Sequence, residues 1–375
     1  MTQMQNEIKK SLAAGSKFFA LAALITTATA VSARADGFPG NVYAMTNAAA
    51  NSIAVYERAP GGTLIPAGTY FTNGQGTGAG LGSQGAIALS DDGRWLVAVN
   101  AASNNVTVFA VDENGLQFRG TAASGGQTPI SIAIHEDLVY VVNAGGTPNI
   151  SGFRLHRRGS LEMIPGSTRP LTGLAPAQIG FSDDGDLLVV TEKGTNTIAI
   201  FRLDDGVPAA PTSMPSSGLT PFGFGFDKRD HLIVSEAFGA AAGATAVSSY
   251  DVTENGHLTV ITGSLKSGQT AACWIAVNRK GTFAYSANTP SATITGYRVG
   301  RDGRLSLLNP SGISATLPAG SAPTDMAVTR NDQFLYTLNS GNGSVGAYRI
   351  AADGSLAFLG TVAGLPAGAV GLAAR

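Results

Sequence analysis

The chain has 375 residues, of which 44% are apolar, 13% charged and 49 are glycine, with a formal net charge of −1. Such a near-neutral chain lacks the basic footprint that binds nucleic acid or anionic lipid, and its apolar content excludes a disordered chain. A lone cysteine, Cys273, excludes an internal disulfide.

At the N-terminus, Lys9, Lys10 and Lys17 accompany a short apolar run, Phe18 to Val31. Ala33-Arg34-Ala35 then puts small residues at the two positions a signal peptidase reads. The run is shorter than the roughly 20 residues of a membrane span. Residues 1–35 are therefore expected to be a signal peptide, with an uncleaved anchor as the alternative. Residues 36–375 are expected to form one exported domain, periplasmic or secreted, with no membrane span after signal removal. Losing the leader removes four basic residues and one acidic residue, which moves the net charge to −4.

From Asn41 onward a single unit repeats. Short apolar runs close on a polar anchor at Asn47, Asn100, Asn143, Glu192, Glu236, Asn288 and Asn339, spaced by 53, 43, 49, 44, 52 and 51 residues. After each anchor comes a five-residue segment ending in an aromatic: SIAVY, NVTVF, NISGF, TIAIF, AVSSY, TITGY and SVGAY. Periods of this size indicate an array or a propeller. The second unit shows four strands, at 86–90, 94–100, 105–111 and 116–120, with turns at Asp91-Asp92-Gly93 and Glu113-Asn114-Gly115. Asp-Gly and Asn-Gly suit hairpin turns because those residues tolerate positive φ.

Seven such units predict an all-β fold: a seven-bladed β-propeller of four-stranded antiparallel blades. The first unit begins at Asn41-Val42-Tyr43, which is already a second strand. Its missing innermost strand is expected from 366–374 (PAGAVGLAA), so that the C-terminus closes the ring and leaves no free edge.

In this topology the anchors share one face with the segments that precede each innermost strand, and that rim is the expected site. Glu192 and Glu236 fall on adjacent blades. Two neighbouring carboxylates raise each other's proton affinity, as a general base requires. Asn143, Glu192, Glu236 and Asn288 also offer oxygens from four successive blades, a set that could hold calcium. Against both stands the plainer role of capping strand ends and turn amides. Rim residues Lys193, Gln178, Trp274, Asn288 and Asn143 are the substrate-binding candidates. The longest link between second and third strands follows Glu236. The four histidines lie away from this rim, and the glycine-rich run 74–85 precedes no helix, so it is a loop and no nucleotide cradle.

The segments VYVVNAGGTPNISGFRL and WLVAVNAASNNVTVFAV resemble YVTN-type repeats. The stretch from AVSSYDVTENGHL to ATITGYRV is similar to the seven-bladed lactonase family, which includes bacterial phosphogluconolactonase and fungal carboxymuconate lactonizing enzyme. The resemblance implies lactone chemistry, with a His after Pro, an Arg-His pair after Pro and acids at strand ends. This chain has Gln178 at the first place and Phe222-Gly223 at the second. Glu192-Lys193-Gly194-Thr195-Asn196 is similar to the family's Asp-containing segment of blade four, and Glu236 matches its glutamate of blade five.

Two functions follow. The first is an exported hydrolase or isomerase of a non-phosphorylated lactone, since the rim has little positive charge beyond Lys193 to clamp a phosphate. Glu236 or Glu192 would activate water, and Lys193 or rim amides would hold the oxyanion. The second is a non-catalytic propeller that binds a protein, glycan or small ligand through the same rim.

Overall fold

Leu187–Glu192, Phe283–Asn288 and Phe334–Asn339 are buried at every residue, which a strand achieves only when both its faces are covered. The computed structural model describes residues 40–375 and supplies that cover with seven antiparallel sheets, each four strands wide, the outermost strand being broken in two in three of them. The signal segment expected at 1–35 lies outside the described residues.

The innermost strands are Val370–Ala374 in blade one, Ile87–Leu89, Gln127–His135, Pro176–Phe181, Pro221–Phe226, Ala272–Val277 and Pro323–Val328. Each packs against the next, and the seventh packs against the first, so the ring is closed. Among the described residues no helix is long and apolar enough to cross a membrane.

Closure takes the expected form. Asn41–Met45 pairs with the third strand of its blade on one side and with Val370–Ala374 on the other. The Arg375 amide donates to Asn41 O at 2.8 Å, and Arg58 Nη2 donates to Arg375 O at 3.0 Å. Apolar cores fill the seams between blades. Tyr43, Val55, Leu96 and Phe109 share one, and Val42, Tyr336, Leu338 and Leu372 share another. At the Asp91-Asp92-Gly93 turn, Gly93 has φ +70°, a conformation in which any Cβ is strained.

In five inner strands the register slips near the start, as between Pro176 and Gln178 or between Pro323 and Asp325. A bulge re-aims the side chain that follows it, and here several of those side chains reach the next blade. Ser131 Oγ accepts from Ile179 N at 3.2 Å. The Gln178 amide bonds Phe224 in both directions, at 3.0 and 2.8 Å. Asp325 accepts from Leu372 N at 3.0 Å, tying blade seven to the closing strand.

Candidate functional site

The expected rim is occupied by the chain itself. Segment 82–85, the end of the glycine-rich loop, lies across the channel mouth. Gly82 O accepts from Lys193 Nζ at 2.7 Å and Ser83 O from Trp274 Nε1 at 2.9 Å. Ser83 Oγ donates to Ile130 O at 2.8 Å. The Gln84 amide group then makes two bonds with the backbone of Ile275, donating at 2.7 Å and accepting at 3.0 Å, while Gln84 N donates to Ala177 O at 3.0 Å. Blades three, four and six are thereby joined to a loop that leads into blade two. Blade five takes part by omission: a Cβ on Gly223 would lie 2.1 Å from Gln84 Oε1. The position where the resemblance implies a histidine has to be glycine here for Gln84 to pass.

Two of the rim candidates, Lys193 and Trp274, are committed to this stopper. Lys193 donates also to Pro176 O at 3.0 Å, and its ammonium lies 5.2 Å from the Phe222 ring centre. Burial lowers its proton affinity. Trp274 is buried, edge-on to Phe222 at 5.1 Å. Gln178 is held by Phe224. Burial pushes the Cys273 thiol up to about 12 despite the nearby Lys193, so it carries no thiolate at neutral pH.

Glu192 and Glu236 are both 0% exposed, so neither presents a carboxylate oxygen to solvent. Glu192 accepts from Gly173 N at 3.0 Å and Thr197 Oγ1 at 2.8 Å. Glu236 accepts from Gly218 N at 2.8 Å, Ser248 Oγ at 2.5 Å and Ser264 Oγ at 2.7 Å. These donors belong to the glutamate's own blade or to the segment leading into it. A Cβ on Gly173 or Gly218 would stand 2.2 and 2.1 Å from the respective carboxylate. Asn100 and Asn143 fit against Gly74 and Gly126 in the same way. The paired glycine, 17 to 26 residues before its anchor, is a sequence signal that could have revealed this packing.

Asn143 donates to Ser124 O and Asn149 Oδ1, and Asn288 donates to Thr293 and Thr295. No hydrogen bond links Asn143, Glu192, Glu236 and Asn288 to one another among the described residues. As a calcium set the four do not fit, because the carboxylate oxygens already face N–H and O–H donors whose protons a cation would meet. No group of three or more His, Cys, Asp or Glu able to share a metal occurs among the described residues.

The channel opens at the other end, where the inner strands turn into their hairpins. A cavity of about 320 Å³ is lined there by Asp91, His135, Gln178, Asp183 and Phe226. A second lobe of about 230 Å³ is lined by Asp91, Arg279, Arg330 and Ala374. Leu89 and Asp91 line both. His135 ends its inner strand half-buried, 5.5 Å from the Phe181 ring, and its nitrogens have no partner among the described residues. Sequence reasoning passed over His135 because it looked only at the opposite rim.

Comparison with known proteins agrees with the fold. The family described as "Lactonase, 7-bladed beta-propeller" matches over residues 40–163 and 148–238. No curated protein matches in sequence. Among solved structures, a candidate 6-phosphogluconolactonase of Bacteroides fragilis is similar at 17% identity and a TM-score of 0.71, covering 90% of this chain and 98% of its own. A Lactobacillus plantarum protein is similar at 16% identity and 0.72, covering 90% and 99%. The periplasmic gluconolactonase of Pseudomonas aeruginosa is similar at 16% and 0.69, covering 89% and 98%.

Proposed function

Since the chain belongs to the seven-bladed β-propeller lactonase family, we propose that it opens a small, non-phosphorylated lactone ring at the turn-side end of its channel, with His135 as general base. One observation carries this: the loop-side rim is stoppered, while the other end holds an open, polar cavity of about 320 Å³ that suits a single small ring. In that lobe His135 has a nitrogen free to take a proton from water as the water oxygen attacks the lactone carbonyl carbon. The ring C–O bond then breaks, and the proton passes to the departing alkoxide, which leaves a hydroxy acid. Glu236 and Glu192 act instead as anchors that shape blades four and five.

The basic start, apolar run and Ala-Arg-Ala of residues 1–35 support export, and one similar structure is of a periplasmic enzyme. The mass of the N-terminal peptide from a periplasmic fraction tests this: a chain that still begins at Met1 refutes cleavage.

A second function, ligand binding without turnover, is favoured by Gln178, Phe222 and Gly223 standing where the resemblance implies reacting groups. The decisive assay sets purified protein on a panel of neutral lactones beside His135→Gln, Glu192→Gln and Glu236→Gln. Turnover is expected to fall about 100-fold in His135→Gln and to persist in the other two, per folded molecule. Loss of turnover in Glu236→Gln at unchanged melting temperature returns the base to the carboxylate. No turnover by any of the proteins eliminates hydrolysis in favour of binding.

A further inference from the structure

The turn-side mouth is electrically two-sided. Blades six, seven and one each place an arginine at or just past the end of the inner strand: Arg279, Arg330 and Arg375. Arg330 Nη1 and Arg375 Nε come within 3.5 and 3.2 Å of the point where a Cβ on Gly93 would stand. These two guanidinium groups therefore lie within about 7 Å of each other. Arg279 and Arg330 both line the 230 Å³ lobe. Arg330 is fixed by a 2.5 Å bond from Nη2 to Ser90 O, which leaves its other donors free to turn inward. None of the three is ion-paired among the described residues. The neighbouring Asp92 is paired with Arg94, so Asp91 is the one carboxylate lining that lobe.

Burial disfavours the charge on Arg330, Asp91 and Asp92 favour it, and Arg279 and Arg375 oppose it. Three gathered cations of this kind are stabilised by an oxyanion, which a guanidinium grips through two parallel hydrogen bonds. Across the mouth, Asp183 lines the His135 lobe, with Asp91 standing between the two lobes, and Asp230 accepts from Asp183 N at 2.8 Å. That wall accepts hydrogen bonds and repels anions.

We propose that this mouth binds a small hydroxylated carboxylate, with the carboxylate on Arg279, Arg330 and Arg375 and the hydroxyl groups toward Asp91, Asp183 and His135. The proposal rests on the turn-side channel being the site, and it goes beyond hydrolysis in naming the ligand class. A neutral hydroxylated lactone acquires just this carboxylate when its ring opens, so the arginines would hold the product's new charge.

The test is calorimetric titration, in buffer free of phosphate and sulfate, with three probes: gluconate (hydroxyls and carboxylate), glucose (hydroxyls alone) and acetate (carboxylate alone). Gluconate is expected to bind at least tenfold more tightly than either of the others. Equal binding of acetate overturns the hydroxyl wall, and equal binding of glucose overturns the arginine wall. No gluconate binding up to about 10 mM, some −3 kcal/mol by the affinity relation, overturns the whole proposal.

Arg279→Ser and Arg375→Ser remove side chains with no hydrogen bond of their own in the structure, so they spare the fold, whereas Arg330→Ser also loses the Ser90 bond. Each of the first two is expected to weaken gluconate at least fivefold at unchanged melting temperature, and unchanged affinity refutes the site. Arginine-dependent gluconate binding without lactone turnover upholds this proposal and refutes hydrolysis. Turnover that depends on His135, with gluconate affinity indifferent to the arginines, does the reverse.

Discussion

Asp325 offers a direct test of how blade seven is fastened to the closing strand. Its carboxyl is 2% exposed and accepts from Met326 N at 2.8 Å and Leu372 N at 3.0 Å. Burial pushes its pKa up to about 7 from 3.8, against the two amides, which favour the anion. A carboxyl raised in the folded state contributes stability that is fully present below the unfolded value and lost as pH rises through the folded one. The window is therefore about pH 4 to 7. Three units correspond to about 4 kcal/mol, an upper figure, and about 2.5 kcal/mol of it falls between pH 5 and 7. In Asp325→Asn the side chain cannot ionise, but its NH₂ replaces one acceptor and costs roughly 1–3 kcal/mol. Denaturant melts of both proteins from pH 5 to 8.5 isolate the carboxyl, because the other titrating groups cancel in the difference. Wild type is expected to exceed the variant most at pH 5, with the gap shrinking or reversing by pH 8. A gap that widens with rising pH would falsify the assignment, since the anion would then be the favoured form.

Deleting the residues after Gly364 should abolish cooperative unfolding, because Val370 and Leu372 leave their seams and Asn41–Met45 becomes an open edge; a truncated chain with the wild-type melting curve contradicts this closure. Gly223→Ala should cost about 1–3 kcal/mol by pushing Gln84 off Ile275, and Gln84→Gly should recover part of that loss in the same chain, which a double-mutant cycle measures. Glu236→Gln is expected to lower stability by about 1–2 kcal/mol, since an NH₂ then faces donors from Gly218, Ser248 and Ser264; a larger effect on turnover than on melting would contradict the anchor role. Millimolar calcium should leave the melting temperature unchanged, and a rise reversed by chelation would restore the four-oxygen cation set.

The blade count, the hairpin turns and the C-terminal closure were legible because each depends on short-range pattern. Anchor spacing, β-runs and Asp-Gly turns recur within every unit, and a strand's two covered faces show as unbroken apolar runs. Glu192 and Glu236 stood out for an equally local reason, their departure from asparagine. What they contact did not, because Gly173 and Gly218 come from the segments before the inner strands and meet the carboxylates only once the blade has formed. The open mouth was less legible still. Asp91, Asp183, Arg279 and Arg330 sit in hairpin turns, where charged residues ordinarily mean no more than a solvated loop.

The amino-acid sequence alone thus determined the propeller, since hairpin turns and unbroken apolar runs are set by residues near one another in the chain. Which end of the channel stays open was decided by the tertiary structure. Gln84 and Ile275 are 191 residues apart, and only closure of the ring brings them within hydrogen-bonding distance, shuts the loop-side rim and leaves His135 and the arginines at the mouth that remains.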